Sequence, residues 1–177
     1  AVFDPGDAGE HERCFRYGAE RLYVGRSPHL VDCEVERTAE ALEQIGAANS
    51  VQLVLIGSTR RGKELAGRLA QKLGAGCVTD AIGLAVRDGK LVAQRYALGG
   101  NTVATEVFKT RVKVVAVRPK VFEAVAASQP SGEILPVELD LAPPRVTVVQ
   151  RRPKAGEEVN LEQAEVVVAV GRGLQKK

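Results

Sequence analysis

Apolar and polar positions along this chain alternate between runs typical of strands and runs typical of helices. Short continuous apolar runs bounded by turn residues predict strands; they lie at 1–3, 21–24, 51–57, 112–117, 133–141, 146–150 and 165–170. Apolar residues three and four positions apart predict helices; these end at residues 17, 45, 73 and 127. Gly18 and Gly46 stand where two of these helices should stop, because glycine readily adopts the left-handed conformation of a helix C-terminus.

The run at 51–57 is the clearest strand, since it is almost continuously apolar and polar turns flank it. Such a run is typical of a central parallel strand that is buried on both faces. A glycine turn and a helix with leucines at 65, 69 and 73 follow it, which makes a βαβ unit. The pattern therefore predicts an α/β fold of three layers with a mostly parallel, Rossmann-like sheet.

The alternation of strands and helices is interrupted between residues 82 and 107. Two apolar segments there flank Arg87-Asp88-Gly89-Lys90, and Asp-Gly favours the tight turn of a hairpin. A glycine pair at 99–100 then separates the second segment from a third strand-like run at 102–107. We therefore expect an antiparallel hairpin insertion of about three strands.

Composition excludes several classes of function. The chain has 177 residues with a net charge of +3 and only 4% aromatic residues, which does not favour nucleic-acid binding. No apolar run approaches the length of a membrane span. Its three cysteines are widely spaced and its N-terminus is polar, so we expect a reducing compartment, the cytoplasm in a prokaryote or the mitochondrial matrix in a eukaryote.

Residues 57–64 match the phosphate-binding pattern G-x-x-x-x-G-K after a strand and before a helix. Glu64 stands where that pattern needs a hydroxyl to hold magnesium, so we do not expect ATP hydrolysis here. The alternative interpretation is a plain βα turn in which Thr59 or Ser58 caps the helix.

Metal and nucleophile patterns are weak. His11 with Cys14, and His29 with Cys33, could supply four zinc ligands, but neither spacing is that of a known zinc site. The chain has no G-x-S-x-G motif for a nucleophilic serine, and we predict no catalytic or metal-binding residues.

Several motifs, in order, resemble the alpha subunit of electron transfer flavoproteins. They are Gly62-Lys63 with the helix end at 70–73, Thr79-Asp80, Arg95 with Tyr96, Gly100-Asn101, Val117-Arg118-Pro119 followed by Phe122, and a valine run into Gly-Arg-Gly-Leu over 166–174. Against the family pattern, we expect the first strand and helix to be missing before Ala1 and the FAD pocket to lie after Lys177.

The resemblance implies an adenine nucleotide alpha hydrolase-like fold at 1–170, with the start of a missing FAD-binding domain at 171–177. It implies FAD in the full-length family, with Arg172 as a flavin contact, but no cofactor on this chain alone. It implies a beta subunit and flavin dehydrogenases as partners, without nucleic acid or membrane insertion.

These inferences lead to a non-catalytic scaffold and docking domain of an electron carrier, with the insertion at 82–107 forming part of the subunit interface. Two alternatives stay open. One is a stand-alone module that binds an AMP-like nucleotide near Gly57 to Gly62, at the carboxyl edge of the sheet. The other is a P-loop-like enzyme, against which Glu64 argues.

Overall fold

The computed structural model describes residues 8–30, 34–146, 148–150, 164, 166–171 and 173. Its elements, in chain order, are α1 (Ala8–Arg16), β1 (Arg21–Arg26), α2 (Val35–Ala48), β2 (Leu53–Gly57), α3 (Arg60–Lys72), β3 (Gly76–Arg87), β4 (Lys90–Ala97), β5 (Thr102–Val107), β6 (Lys113–Val117) and β7 (Glu133–Glu138), with one 3₁₀ turn at Leu98–Gly100. The chain forms two compact units, Ala1–Arg145 and Val146–Lys177, and all of these elements belong to the first.

The main sheet has five strands in the order β2-β6-β3-β4-β5. The pairs β2–β6 and β6–β3 are parallel, whereas β3–β4 and β4–β5 are antiparallel. A separate parallel pair joins β1 to β7. This arrangement confirms the predicted α/β fold with a mostly parallel sheet and additional antiparallel strands.

Strand β3 belongs to both parts of the main sheet. Its residues Gly76, Cys77 and Val78 pair with β6, and its second half pairs with β4 after a register shift. Asp88 and Gly89 between β3 and β4 have φ values of 49° and 70°, the positive values that a two-residue hairpin turn of type I′ requires. The predicted hairpin insertion is therefore an extension of the main sheet through one shared strand.

The core that the described residues form consists of three clusters of small and branched side chains. In the largest, α3 packs on β6 through Ala66, Leu69, Ala70, Val114 and Ala116. A second joins α2 to the segment around β7, and a third is formed by β3, β4 and β6. Helix α3 thus fixes the carboxyl ends of β2 and β6, where the candidate site lies.

Helix α2 runs three residues further than predicted, through Gly46 to Ala48. Gly46 is buried inside the helix, where an added Cβ would lie 3.0 Å from Cγ1 of Val51. The glycine is thus explained by close packing. Gly18, in contrast, has a φ of 91° just after α1, as its predicted role as a helix stop requires.

The prediction that the run at 51–57 is a central strand buried on both faces is wrong. Among the strands in the described part of the chain, β2 lies at one end of the strand order and pairs only with β6. Leu53 and Leu55 are 37% and 56% exposed. Within the described residues, α3 covers the face with Val54 and Ile56, and the opposite face stays open.

Three further predicted elements do not form in the described part of the chain. The segment 121–127 is irregular, because Lys120 has a φ of 63° where the helix would begin and Val125 is 76% exposed. The described residues of 146–150 and 165–170 are not strands, and their valines lack a partner strand. The prediction at 1–3 lies outside the described residues. The strand predicted at 133–141 is confirmed over Glu133–Glu138 as β7, and residues 139–141 follow it without strand structure.

Candidate functional site

The turn at the carboxyl end of β2 consists of two residues, Ser58 and Thr59, before α3 begins at Arg60. The Thr59 Oγ1 accepts a hydrogen bond from the backbone N–H of Gly62 at 3.1 Å, which is the geometry of an N-cap. A Cβ on Gly62 would overlap the carbonyl oxygen of Gly57. Glycine at position 62 therefore lets the helix start directly against the strand end, as the interpretation of a plain βα turn requires.

A carboxylate from β3 lies against this turn. Ser58 Oγ donates to Asp80 Oδ1 at 2.9 Å, and Lys63 Nζ donates to Asp80 Oδ2 at 3.0 Å. The backbone N–H of Asp80 in turn donates to Ser58 Oγ at 3.3 Å. Asp80 has a φ of 57°, at the register shift between the parallel and antiparallel halves of β3. A short polar side chain such as Asp tolerates this left-handed conformation.

The charge of Asp80 is held by its neighbours. Burial alone would raise the pKa of its carboxyl, but the hydrogen bonds from Lys63 and Ser58, together with the charges of Lys63 and Arg118, bring the pKa below its ordinary value. Lys63 and Asp80 are both nearly half exposed, so solvent weakens the attraction between them. Asp80 is thus ionised at neutral pH, and its carboxylate already forms an ion pair with Lys63.

This arrangement differs from a triphosphate cradle. In the phosphate-binding pattern the lysine reaches the β- and γ-phosphates, whereas Lys63 here binds Asp80. Glu64, at the position of the metal-holding hydroxyl, pairs with Arg68 one helical turn further on at 3.2 Å. The turn therefore combines a helix N-cap, Thr59, with an anion that the protein itself supplies, the carboxylate of Asp80.

A cavity of about 460 Å³ opens beside the turn at the carboxyl ends of β2 and β6. Its lining is mainly apolar, with Leu55, Leu84, Val117 and Phe122 among the contributors, and Arg118 and Lys120 add two cationic side chains. The Arg118 guanidinium lies 5.8 Å from the ring centroid of Tyr96. The cavity could hold an apolar group that carries an anion.

The antiparallel extension presents a different kind of surface. Strand β5 ends the strand order of the main sheet. On one face of the sheet here, Tyr96 of β4 and Val103 and Val107 of β5 are each about half exposed, at 48%, 51% and 53%. Tyr96 lies opposite Val103 in the register of β4 and β5. We call β5 together with Tyr96 the extension edge.

The described residues contain no group of three or more His, Cys, Asp and Glu side chains that could hold a metal ion. Cys14 and Cys77 are free thiols. Cys33, one of the four possible zinc ligands, and Arg172, the predicted flavin contact, lie outside the described residues. Among the helices in the described ranges, none is both long and apolar enough to cross a membrane.

The fold and the turn together define an α/β domain with a mostly parallel sheet, in which the domain's own Asp80 binds the lysine of the turn after β2. The chain belongs to the electron transfer flavoprotein family: the family model described as "Electron transfer flavoprotein domain" matches residues 4–144. Curated relatives of the chain are named as electron transfer flavoprotein subunits, and another is named as a subunit of an NAD(+)- and ferredoxin-dependent lactate dehydrogenase. The resemblance to the alpha subunit is thereby confirmed.

Similarity to individual curated proteins supports the same family. The chain is 31% identical over 163 residues to the electron transfer flavoprotein subunit alpha of Thermoanaerobacterium thermosaccharolyticum, covering 89% of the chain and 49% of the relative. It is 33% identical to Protein FixB of Rhizobium meliloti, over 96% of the chain and 50% of the relative. For the subunit alpha of Bacillus subtilis the identity is 25%, over 94% and 51%. The chain thus spans about half the length of these curated relatives.

Sequence reasoning missed the contact between Asp80 and the turn. Thr79-Asp80 is predicted only as a motif of the resemblance, and Lys63 only as part of the resemblance and of the phosphate-binding pattern, with no contact between them. The two side chains meet because β3 and β2 both pair with β6, which places the ends of two strands beside the start of α3. A left-handed aspartate gives no periodic signal that could have predicted this contact.

Proposed function

We propose that this chain is the non-catalytic scaffold and subunit-docking domain of an electron transfer flavoprotein, a carrier between flavin dehydrogenases and their acceptors. Membership of the family supports the carrier role. The observation that carries the docking role is the extension edge, in which the outer strand of the antiparallel half carries two half-exposed valines and is left uncovered by the described residues.

Exposed strand edges are normally protected by lysine, proline or a bulge, because they pair readily with other chains. Strand β5 has the sequence TVATEV, with neither lysine nor proline. Its one charge, Glu106, is bound by Arg95 of β4 at 2.9 Å. An exposed strand edge without these protections favours a permanent protein partner. The resemblance to the alpha subunit implies that this partner is the beta subunit.

The docking test compares three forms of the chain in titrations with the beta subunit of the same organism. Replacing Leu91–Thr105 with a linker is unsuitable, because Val92 and Ala93 of that segment belong to the core. We therefore choose Val103→Asp with Val107→Asp, both on the exposed face of β5. The control is Val125→Asp, an exposed valine outside the extension.

We expect wild type and the Val125 variant to bind alike and the double variant to bind at least tenfold more weakly. Equal binding by a folded double variant would place the interface elsewhere. Absence of binding by the wild type would contradict the docking role itself.

For the cofactor, we propose that FAD belongs to the full-length family and that Arg172 supplies one contact. A single contact of this kind is worth about 1–3 kcal/mol, whereas micromolar binding needs about 8 kcal/mol. We therefore expect this chain alone to be colourless after purification. A flavin absorbance band at near-unit occupancy would contradict this.

The cavity favours a second candidate, a module that binds an AMP-like nucleotide. Its volume of about 460 Å³ lies within the usual range for small-molecule sites, and Arg118 and Lys120 could bind a phosphate. The carboxylate of Asp80 beside the turn opposes a second anion there. Calorimetric titration with AMP tests this: micromolar binding that weakens in Arg118→Ala would support the module, and no heat at millimolar AMP would reject it.

A further inference from the structure

We propose that the extension edge takes a strand of the partner whose exposed residues are apolar at one end and acidic at the other. This inference rests on the proposed docking function and names the chemistry of the surface that the partner must present. The observation behind it is a gradient of charge along β5, from an uncharged end to a cationic end.

The uncharged end lies where β5 begins. Tyr96 and Val103 face each other there across β4 and β5, and the 3₁₀ turn beside them carries Leu98 at 79% exposure. The connection over residues 97–102, Ala-Leu-Gly-Gly-Asn-Thr, has no charged side chain. The cation nearest to this end is Arg118, which lies over the ring of Tyr96 and is attracted to the carboxylate of Asp80. A complementary strand should therefore be apolar here, since a charge would lose water and would have to compete with Asp80 for Arg118.

The cationic end lies where β5 finishes. Val107 is the last residue of β5 and lies opposite Val92 in the register. Lys90 is the first residue of β4, two positions before Val92, and Lys109 follows the end of β5 by two residues. Arg87 is the register partner of Lys90 across the hairpin. All three cations are exposed, and none of them forms an ion pair with any other described residue.

Carboxylates at this end are few. Asp88 lies in the hairpin turn between Arg87 and Lys90, and Glu106 is already bound by Arg95. Three cations therefore face solvent against one unpaired carboxylate. Charges that are arranged so at the rim of an interface select a partner of opposite sign and speed its association.

The mode of binding follows from the strand itself. A partner strand that pairs with β5 would satisfy its unpaired backbone groups and extend the sheet, with specificity from alternate side chains. Its side chains on the exposed face would contact Val103 and Val107, and its carboxylates would meet Lys90 and Lys109. A strand of a folded protein fits this edge better than a nucleic acid, because half of the edge is apolar and uncharged.

The experiment measures the affinity of the chain for the beta subunit at about 20 mM and 300 mM salt. The test variant is Lys90→Glu with Lys109→Glu, and the control is Arg60→Glu, an exposed cation on the first turn of α3 that has no ion pair with a described residue. We expect wild-type affinity to fall at least fivefold between the two salt concentrations. We expect the double variant to bind at least tenfold more weakly than wild type at low salt, with a much smaller difference at high salt.

Any other outcome would overturn the inference of an acidic partner strand. Unchanged affinity and salt dependence in the double variant would overturn the acidic-strand inference while leaving the docking function intact. An equal loss in the Arg60 variant would show a general effect of net charge and would also overturn it. Absence of binding by the wild type would overturn the proposed function and the inference together.

Discussion

The two halves of the main sheet share strand β3 and yet end in opposite surfaces. The parallel half, formed by β2, β6 and the start of β3, is covered on one face by α3, and Val114 and Ala116 there are fully buried. The antiparallel half ends in β5, whose Val103 and Val107 are half exposed. The same residue type thus contributes to the core in one half and to the surface in the other.

This difference separates stability from recognition within one domain. Helix α3 packs against the parallel half and fixes it in place. The size of the buried side chains there is therefore constrained, and the turn after β2 needs a glycine at position 62 because the helix approaches the strand end closely. The extension has no such cover among the described residues, so its exposed valines contribute little to the free energy of unfolding. Variants in the two halves should therefore affect different measurements.

The largest effect on stability is expected at Gly62. The substitution Gly62→Ala would force a Cβ into the carbonyl of Gly57 and push α3 off the end of β2, at a cost of about 3 kcal/mol. The matched control is Gly67→Ala in the same helix, where a Cβ meets nothing within 4 Å and the gain in helix propensity is about 0.5–1 kcal/mol. Urea unfolding measures both. Equal free energies of unfolding for the two variants would show that α3 can move away from the end of β2 without cost.

A pair of valines compares the two halves directly. Val114→Ala removes two methyl groups from a fully buried site in β6, for which we expect a loss of about 2 kcal/mol. Val107→Ala, at a half-exposed site in β5, should lose less than about 1 kcal/mol. If thermal unfolding shows similar losses for both, the extension edge is part of the core after all.

The smallest effect concerns the network of Asp80. Because the pKa of its carboxyl is lowered in the folded chain, ionised Asp80 stabilises the fold above the ordinary aspartate pKa of about 3.9, and this contribution is lost as the pH falls through the lower folded value. Asp80→Asn keeps a residue that tolerates positive φ and should cost about 1 kcal/mol at pH 7. The difference in stability between the two proteins should shrink as the pH falls below the ordinary aspartate pKa of about 3.9. A difference that does not change with pH would mean that the charge of Asp80 has no part in it.

Local patterns in the sequence were enough to predict much of this fold. The type I′ hairpin follows from Asp88-Gly89, and the capped helix follows from Thr59 and the leucines of α3, because each depends on residues that are close along the chain. The position of β2 at a sheet end, the meeting of Lys63 with Asp80 and the irregular segment at 121–127 depend on which strands pair and on what covers them. An apolar run looks the same whether one or both of its faces are buried.

The central claim is that the extension edge is where the partner binds, and hydrogen exchange tests it most directly. The amide protons of residues 102–107 would be followed by mass spectrometry in the free chain and in the saturated complex with the beta subunit. Pairing of a partner strand with β5 should slow their exchange at least tenfold, while the already buried strand β6 changes little. A stable complex in which the exchange of residues 102–107 is unchanged would contradict the claim.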